Sequence, residues 1–383
     1  MKPVTFLFGG DLAPTQSNYS SFTDGDIKAL IDSKLLSLLF SVDYRVFNLE
    51  VPLTDTKKSI SKDGPNLIAP ISTIKGIKLL DPTILGLANN HIMDHDEQGL
   101  YQTMEQLSQH EIKFIGAGKD LFNAAKPAIV EKDGLKVGIY ACAENEFSIA
   151  EENKAGANPF DPLESLDHMV KLKSTCDFVI VLFHGGKEHY RYPSPYLQKV
   201  CRKMAEKGAD LVICQHSHCI GAFEKFYDSI IVYGQGNFLF DRRNNEFWNN
   251  SLLVKATFGN KMSVGFVPIC KNGYGVALPE SSMTKDILDA FYERSRNISL
   301  YGFVEAEYEK FCVSNGLYYL SSFAGFGRIL RRIDKLLNGK LTRLIYSLNK
   351  LNMLQNYIEC EAHRELFLRY LSVKRKELAK RKE

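Results

Sequence analysis

The sequence predicts an α/β domain of mixed sheets over residues 1–285, followed by a basic α-helical region over residues 286–383. Three observations carry this reading. Short β-rich apolar runs alternate with segments of helical spacing from Val4 to Phe240, the pattern of sheets wound with helices. A two-residue Asp133-Gly134 link and the alternating runs 251–258 and 262–270 add antiparallel pairs, so the sheets are mixed. From Lys285 onward the strand pattern stops and helical spacing continues, broken near 314–316, 325–327 and 338–339.

Taken in order, Val4 to Phe8 is a compact strand that breaks at Gly9-Gly10 and delivers Asp11. Sites of open α/β sheets lie at such carboxyl ends. Residues 26–40 have helical spacing, and Tyr44 to Leu49 returns as a strand ending in Asn48-Leu49-Glu50-Val51-Pro52. Pro52 cannot continue the ladder, which leaves Glu50 at the boundary of strand and loop. A third strand, Asp81 to Ala88, runs into Asn89-Asn90-His91-Ile92-Met93-Asp94 before a helix at 97–110. A helix cap would use one of these amides or carboxylates, but it has no need of the histidine. Strands follow at 112–115, 128–130 and 136–141, then a helix at 163–173. The most apolar strand, Asp177 to Phe183, ends in His184-Gly185-Gly186-Lys187-Glu188-His189. After a helix at 194–207, the buried run from Asp210 leads to His216-Ser217-His218. Alternate positions of an extended segment project to one side, so the two imidazoles are expected to converge on one point. Ser229 to Tyr233 is strand-like and runs into the glycines at 234 and 236.

Five strand ends therefore present Asp11, Glu50, Asn90 with His91, His184, and His216 with His218. Carboxylate, amide and imidazole together suit divalent transition ions such as Mn, Zn, Fe or Ni, rather than a calcium cage or a thiolate site. One carboxylate shared between two ions would hold them roughly 3.5–4 Å apart, the spacing that clamps both oxygens of a phosphoryl displacement.

Gly10-Asp11, Asn48-Leu49-Glu50, Ala88-Asn89-Asn90-His91 with Asp94, His184-Gly185-x-x-Glu188, His216-x-His218 and Tyr233-x-x-Gly236-Asn237-Phe238-x-Phe240-Asp241 together resemble the CapA family. These are poly-gamma-glutamate capsule-synthesis proteins within the calcineurin-like metallophosphatase superfamily. The resemblance covers residues 4–270 in order. It implies a four-layer α/β/β/α sandwich of two mixed sheets, with one or two divalent ions (Mn, Zn or Fe) as cofactor. Carried over residue by residue, Asp11, Glu50 and His218 would hold one ion, and Glu50, Asn90, His184 and His216 the other. His91 would act as general acid or transition-state stabiliser, with Asp94 beside it in the catalytic set. The sequence departs from the wider superfamily at Ala13, where a histidine is usual, and at Glu50, which replaces an aspartate.

The function implied is a metal-dependent phosphoester hydrolase in capsule or cell-surface polymer synthesis. Two alternatives stay open: a non-catalytic accessory protein that binds an anionic polymer or a synthase, and a metal-assisted amide hydrolase or transferase on a glutamyl polymer. Either way the expected substrate is phosphorylated or anionic, and no nucleic-acid partner is expected. Specificity is assigned to the loops 12–25, 53–70 and 144–162. Trp248, Phe247, Arg242 and Arg243 beside Asp241 read either as a grip for an acidic or sugar ligand or as a surface loop.

With 45% apolar and 24% charged residues, the composition is that of an ordinary cored protein. No stretch approaches the roughly 18–20 apolar residues of a membrane span. Scattered cysteines and an N-terminus that enters a strand at once lead to the expectation of a reducing cytoplasm. The net charge of +3 conceals an asymmetry: residues 286–383 hold 18 Lys+Arg against 12 Asp+Glu. Leucines and isoleucines recur at helical spacing there among arginines and lysines, so peripheral contact with the inner face of a membrane is the sharper expectation, and packing on protein the blander one.

Overall fold

In a computed structural model, residues 2–241 and 245–380 are described. Strands β1 (Val4–Ala13), β2 (Tyr44–Leu49), β3 (Ile84–Gly86) and β4 (Lys113–Ile115) are followed by the short β5 (Ala117–Gly118). Next come β6 (Ala128–Lys132), β7 (Leu135–Ala143), the short β8 (Gly156–Ala157), β9 (Phe178–His184) and β10 (Leu211–Gln215). The set closes with β11 (Phe223–Phe226), β12 (Ser229–Val232), β13 (Asn237–Phe240), β14 (Asn250–Phe258), β15 (Ser263–Asn272) and β16 (Gly275–Ala277).

Two mixed sheets result. The first has the order β16-β15-β14-β1-β2-β3-β4, with β13 also pairing with β1. Its β1 to β4 run parallel, and β14 to β16 are antiparallel. The second has the order β11-β12-β10-β9-β7-β6, parallel in the middle and antiparallel at both edges. Asp133 (φ 52°) and Gly134 (φ 78°) link β6 to β7, since a two-residue hairpin turn of this type needs positive φ at both positions.

Side-chain alternation divides the layers. Phe6 and Phe8 of β1 join Ile139 of β7, Ile180 and Leu182 of β9 and Ile213 of β10 in a core between the sheets. Leu7 of β1 and Phe47 of β2 point the other way, into a core shared with Leu35, Leu39, Ile77 and Leu100 of the helices on that side. Val179, Val181 and Phe183 of β9 meet Met169, Leu172, Leu197 and Met204 of helices on the far side. Period-2 burial on both faces of both sheets is what makes a four-layer α/β/β/α sandwich.

The chain forms two compact units, Met1–Glu305 and Ala306–Glu383. The predicted boundary at 285/286 falls inside the helix Ser281–Asn297. That helix belongs to the first unit because Phe291 and Ile287 pack with Leu252 and Ile220, and Arg294 Nε donates to the Gly221 carbonyl at 2.8 Å. The second unit holds the helices Arg328–Leu336, Lys340–Ile345, Leu348–Glu359 and Glu361–Lys380, together with most of Phe303–Phe323.

Candidate metal centre

The carboxyl ends of the parallel strands of both sheets meet at one place. From the first sheet come Asp11 in β1, Glu50 just past β2, and Asn90 and His91 beyond β3. From the second come His184, the last residue of β9, and His216 and His218 beyond β10. Strand register sets Asp11 opposite Asn48 of β2 on one side and Asn237 of β13 on the other. Gly9 and Gly10 do not end β1 as the sequence predicts; the strand continues through them to Ala13, with a register shift between Phe8 and Asp11. The requirement is closeness: a Cβ on Gly10 would lie 1.7 Å from the Gly236 carbonyl oxygen.

Two donor groups share Glu50. Glu50, His184 and His216 form one, and Asp11, Glu50 and His218 the other, with the potential ligand atoms of each within 4.8 Å of one another and all five residues buried. His184 Nε2 lies 3.1 Å from Asn90 Oδ1, 3.1 Å from His216 Nδ1 and 3.6 Å from Glu50 Oε1, so the amide belongs with the first group. In the second, His218 Nδ1 lies 3.3 Å from Asp11 Oδ2 and 2.9 Å from Asn237 Oδ1, while its Nε2 stands 3.8 Å from Glu50 Oε1. Asn48 Nδ2 donates to Asp11 Oδ1 at 2.8 Å and, with Asn89 Nδ2 on Asn48 Oδ1 at 3.2 Å, fixes the carboxylate's direction.

The imidazole pair departs from the convergence that alternate spacing alone predicts. β10 ends at Gln215, and His216 (φ 88°) and His218 (φ 53°) take left-handed backbone beyond it. Their rings are therefore 6.0 Å apart and serve different donor groups instead of one point. Two non-glycine residues in this sparsely populated region, on either side of Ser217, mark backbone held by its surroundings.

Electrostatics test whether these residues fit cations. Both Glu50 carboxylate oxygens are buried and without a hydrogen-bond partner among the described residues. Burial, and then the neighbouring Asp11 carboxylate, push its pKa well above the usual carboxyl range. Burial alone would also raise Asp11, but the hydrogen bond to His218 and the positive potential of His184 and His218 hold it well below that range. Burial and then the neighbouring His216 lower His184, and burial and then His218 bring His216 down to about 4, so both rings are neutral near pH 7. Neutral imidazoles and a carboxylate with no donor make a set that a divalent ion completes.

Beside this set stands His91, whose Nδ1 lies 2.6 Å from Asp94 Oδ2. Asp94 is fully buried, also accepts from the Leu67 backbone N–H at 2.6 Å, and forms an ion pair with buried Lys62. Asp94 thus orients His91 and belongs to neither donor group, which makes it a positioning residue within the predicted catalytic pair. Lys62 Nζ lies 3.2 Å from His91 Nδ1. It was not legible in advance, because the 53–70 segment carries no periodic or motif pattern. Asn48 and Asn237 sit inside quoted motifs, yet only strand register reveals that they support Asp11 and His218.

Trp248 is no ligand grip. It is buried against the His218 ring, 4.8 Å between centroids, and its Nε1 donates to His189 Nε2 at 3.2 Å. Phe247 stacks on His189 at 5.0 Å, with the Arg191 guanidinium over its ring. Arg242 and Arg243 lie outside the described residues. Ala13, Thr15, Gln16, Ser17, Asn66 and Asp241 line an open cleft together with Val51, the residue after Glu50, drawing on two of the three loops assigned to specificity.

A family model for the bacterial capsule synthesis protein PGA_cap matches residues 5–242. The chain belongs to this family. Its matched region contains every residue of both donor groups and of the His91–Asp94 pair. Among similar proteins, the capsule biosynthesis protein CapA of Bacillus anthracis is 30% identical over 209 residues, covering 52% of this chain and 51% of that protein. The PGA biosynthesis protein CapA of Bacillus subtilis is 29% identical over 204 residues, covering 52% and 54%. The chain thus spans about half the length of these relatives. A crystal structure described as a novel phosphatase from Mycoplasma pneumoniae aligns at 15% identity with a TM-score of 0.45, covering 71% of this chain and 95% of that one.

Proposed function

We propose that this chain is a metal-dependent phosphoester hydrolase that acts on a phosphorylated or anionic polymer, or its precursor, in capsule synthesis. The observation that carries this reading is Glu50, a buried carboxylate with no hydrogen-bond partner among the described residues, shared by two buried sets of potential ligand atoms. Asp11, Glu50 and His218 would hold one divalent ion, and Glu50, Asn90, His184 and His216 a second. Bound there, such ions would acidify water and draw charge from a phosphoryl group.

The remaining steps belong to side chains. With Nδ1 engaged by Asp94, His91 keeps Nε2 for the proton delivered to the leaving oxygen. Lys62 and Asp94 fix the ring from behind, and Asn48 and Asn237 hold Asp11 and His218. The polar, uncharged side chains of Thr15, Gln16, Ser17 and Asn66, in the cleft that Val51 also lines, would bind the hydroxyl or amide portions of a chain-like substrate.

Elemental analysis of the purified protein, followed by aryl phosphomonoester and phosphodiester hydrolysis, tests this directly. The expected result is bound Mn, Zn or Fe and turnover that a chelator abolishes and the metal restores. Metal-loaded protein that binds an anionic capsule polymer yet hydrolyses no phosphoester would replace the hydrolase with an accessory role, and release of glutamyl products would indicate amide cleavage.

A further inference from the structure

In the unit that begins at Ala306, burial is inverted. Among its described residues no apolar side chain is buried, whereas Ser321, Asp334 and Thr342 are. Ile329 is 77% exposed, Leu336 84% and Leu344 83%. Single exposed leucines are unremarkable on a protein surface, but a series of them along successive helices marks a surface meant to be covered.

The helix Arg328–Leu336 displays the pattern most sharply. Ile329, Ile333 and Leu336 recur three and four residues apart on one face. Arg328, Arg331 and Lys335 lie away from that face, and Arg332 borders it. Its one acid, Asp334, is withdrawn: the carboxylate is buried and accepts from the backbone N–H groups of Leu341 at 2.8 Å and Thr342 at 3.3 Å. The exposed surface of this helix is therefore apolar on one side and cationic on the other.

We propose that this helical unit docks on an anionic lipid bilayer, lying in the interface with its leucines and isoleucines among the acyl chains and its arginines at the head groups. The contact is peripheral, because no helix among the described residues is long and apolar enough to cross a membrane. Charge selects the occupant. Residues 320–383 carry 15 Lys+Arg against 6 Asp+Glu, so a second copy would bring like charges together, whereas anionic head groups complement them. Neutral lipid would satisfy the leucines alone.

Flotation of the full-length protein with phosphatidylglycerol-containing vesicles, and with phosphatidylcholine vesicles as control, at low and high salt tests the docking. Binding is expected to require the anionic lipid and to weaken with salt. Arg328→Gln/Arg331→Gln/Arg332→Gln should lower partitioning about a hundredfold, since each basic residue near the surface contributes a factor of about five. The matching Arg→Lys triple keeps the charge and should retain binding, which separates lost charge from lost structure. Ile329→Asn/Ile333→Asn/Leu336→Asn should abolish binding at any salt. The proposal is overturned if the full chain ignores anionic vesicles, if neither Gln nor Asn triple changes partitioning, or if light scattering shows that the Asn triple dissociates a dimer while vesicle binding is unchanged.

Discussion

Glu50 concentrates the electrostatic conflict of the site. Without a cation its carboxylate faces Asp11 with no hydrogen-bond donor to offset burial, and both causes push its pKa upward. An isolated buried charge of this kind takes a proton or takes a counter-ion. Because Glu50 is common to both donor groups, Glu50→Ala is expected to strip most bound metal as read by elemental analysis. Full occupancy in that variant would refute the shared-ligand assignment. His91 stands apart from the ligands, joined to Asp94 at 2.6 Å, and so separates chemistry from binding. His91→Ala should keep metal content and fold while turnover falls on the order of 10²- to 10⁴-fold, the range for a lost general acid or base. Metal loss along with activity would move His91 into the ligand set.

At the scale of elements, what the sequence made legible was local, and what it hid was long-range. The apolar strands with their terminal Asp11, Glu50 and His184, and the hairpin at Asp133-Gly134, are written in neighbouring residues. The helical spacing of 26–40 instead divides into Ile27–Leu30 and Ser33–Phe40, because Ile31 bridges to Val276 in the first sheet. Asp32 then caps the second piece through the N–H groups of Lys34 and Leu35. Likewise Gly9-Gly10 looks like a strand end until β13 is placed beside β1, since the partner that needs the space is Gly236. No local pattern announces a partner so far along the chain. Gly10→Ala tests that account: the new methyl would press on backbone at 1.7 Å, which cannot move aside as a side-chain tip can. Stability should drop by about 3 kcal/mol, the upper part of the overpacking range, and metal content should fall with it. A denaturation midpoint equal to that of the natural chain would show that β1 and β13 are less tightly joined than the register indicates.

For the molecule as a whole, the site joins two sheets, with Asp11, Glu50 and Asn90 on the first and His184, His216 and His218 on the second. An ion bound by both would add its binding free energy to the stability of the fold. That addition depends on pH through the protons the ligands hold. Glu50, with its folded pKa raised, stabilises the metal-free fold while protonated; the contribution is complete below its ordinary 4.5 and is lost as pH rises through the raised value. His218 is raised as well, since the hydrogen bond and charge of Asp11 outweigh burial, so it follows the same sign from 6.5 upward. His216, lowered to about 4, has the opposite sign: its contribution is complete above 6.5 and is lost as pH falls toward 4. Above pH 6.5, then, His216 offers a bare nitrogen, whereas the raised Glu50 and His218 each yield a proton to an incoming ion less readily than a free carboxyl or imidazole would. Metal affinity should climb about tenfold per pH unit for each proton displaced. Thermal midpoints taken with bound Mn and with excess chelator, from about pH 6 to about pH 8, should show a metal-dependent gain that widens with pH. A gain that stays level over that range would mean that neither Glu50 nor His218 carries a proton in competition with the ion.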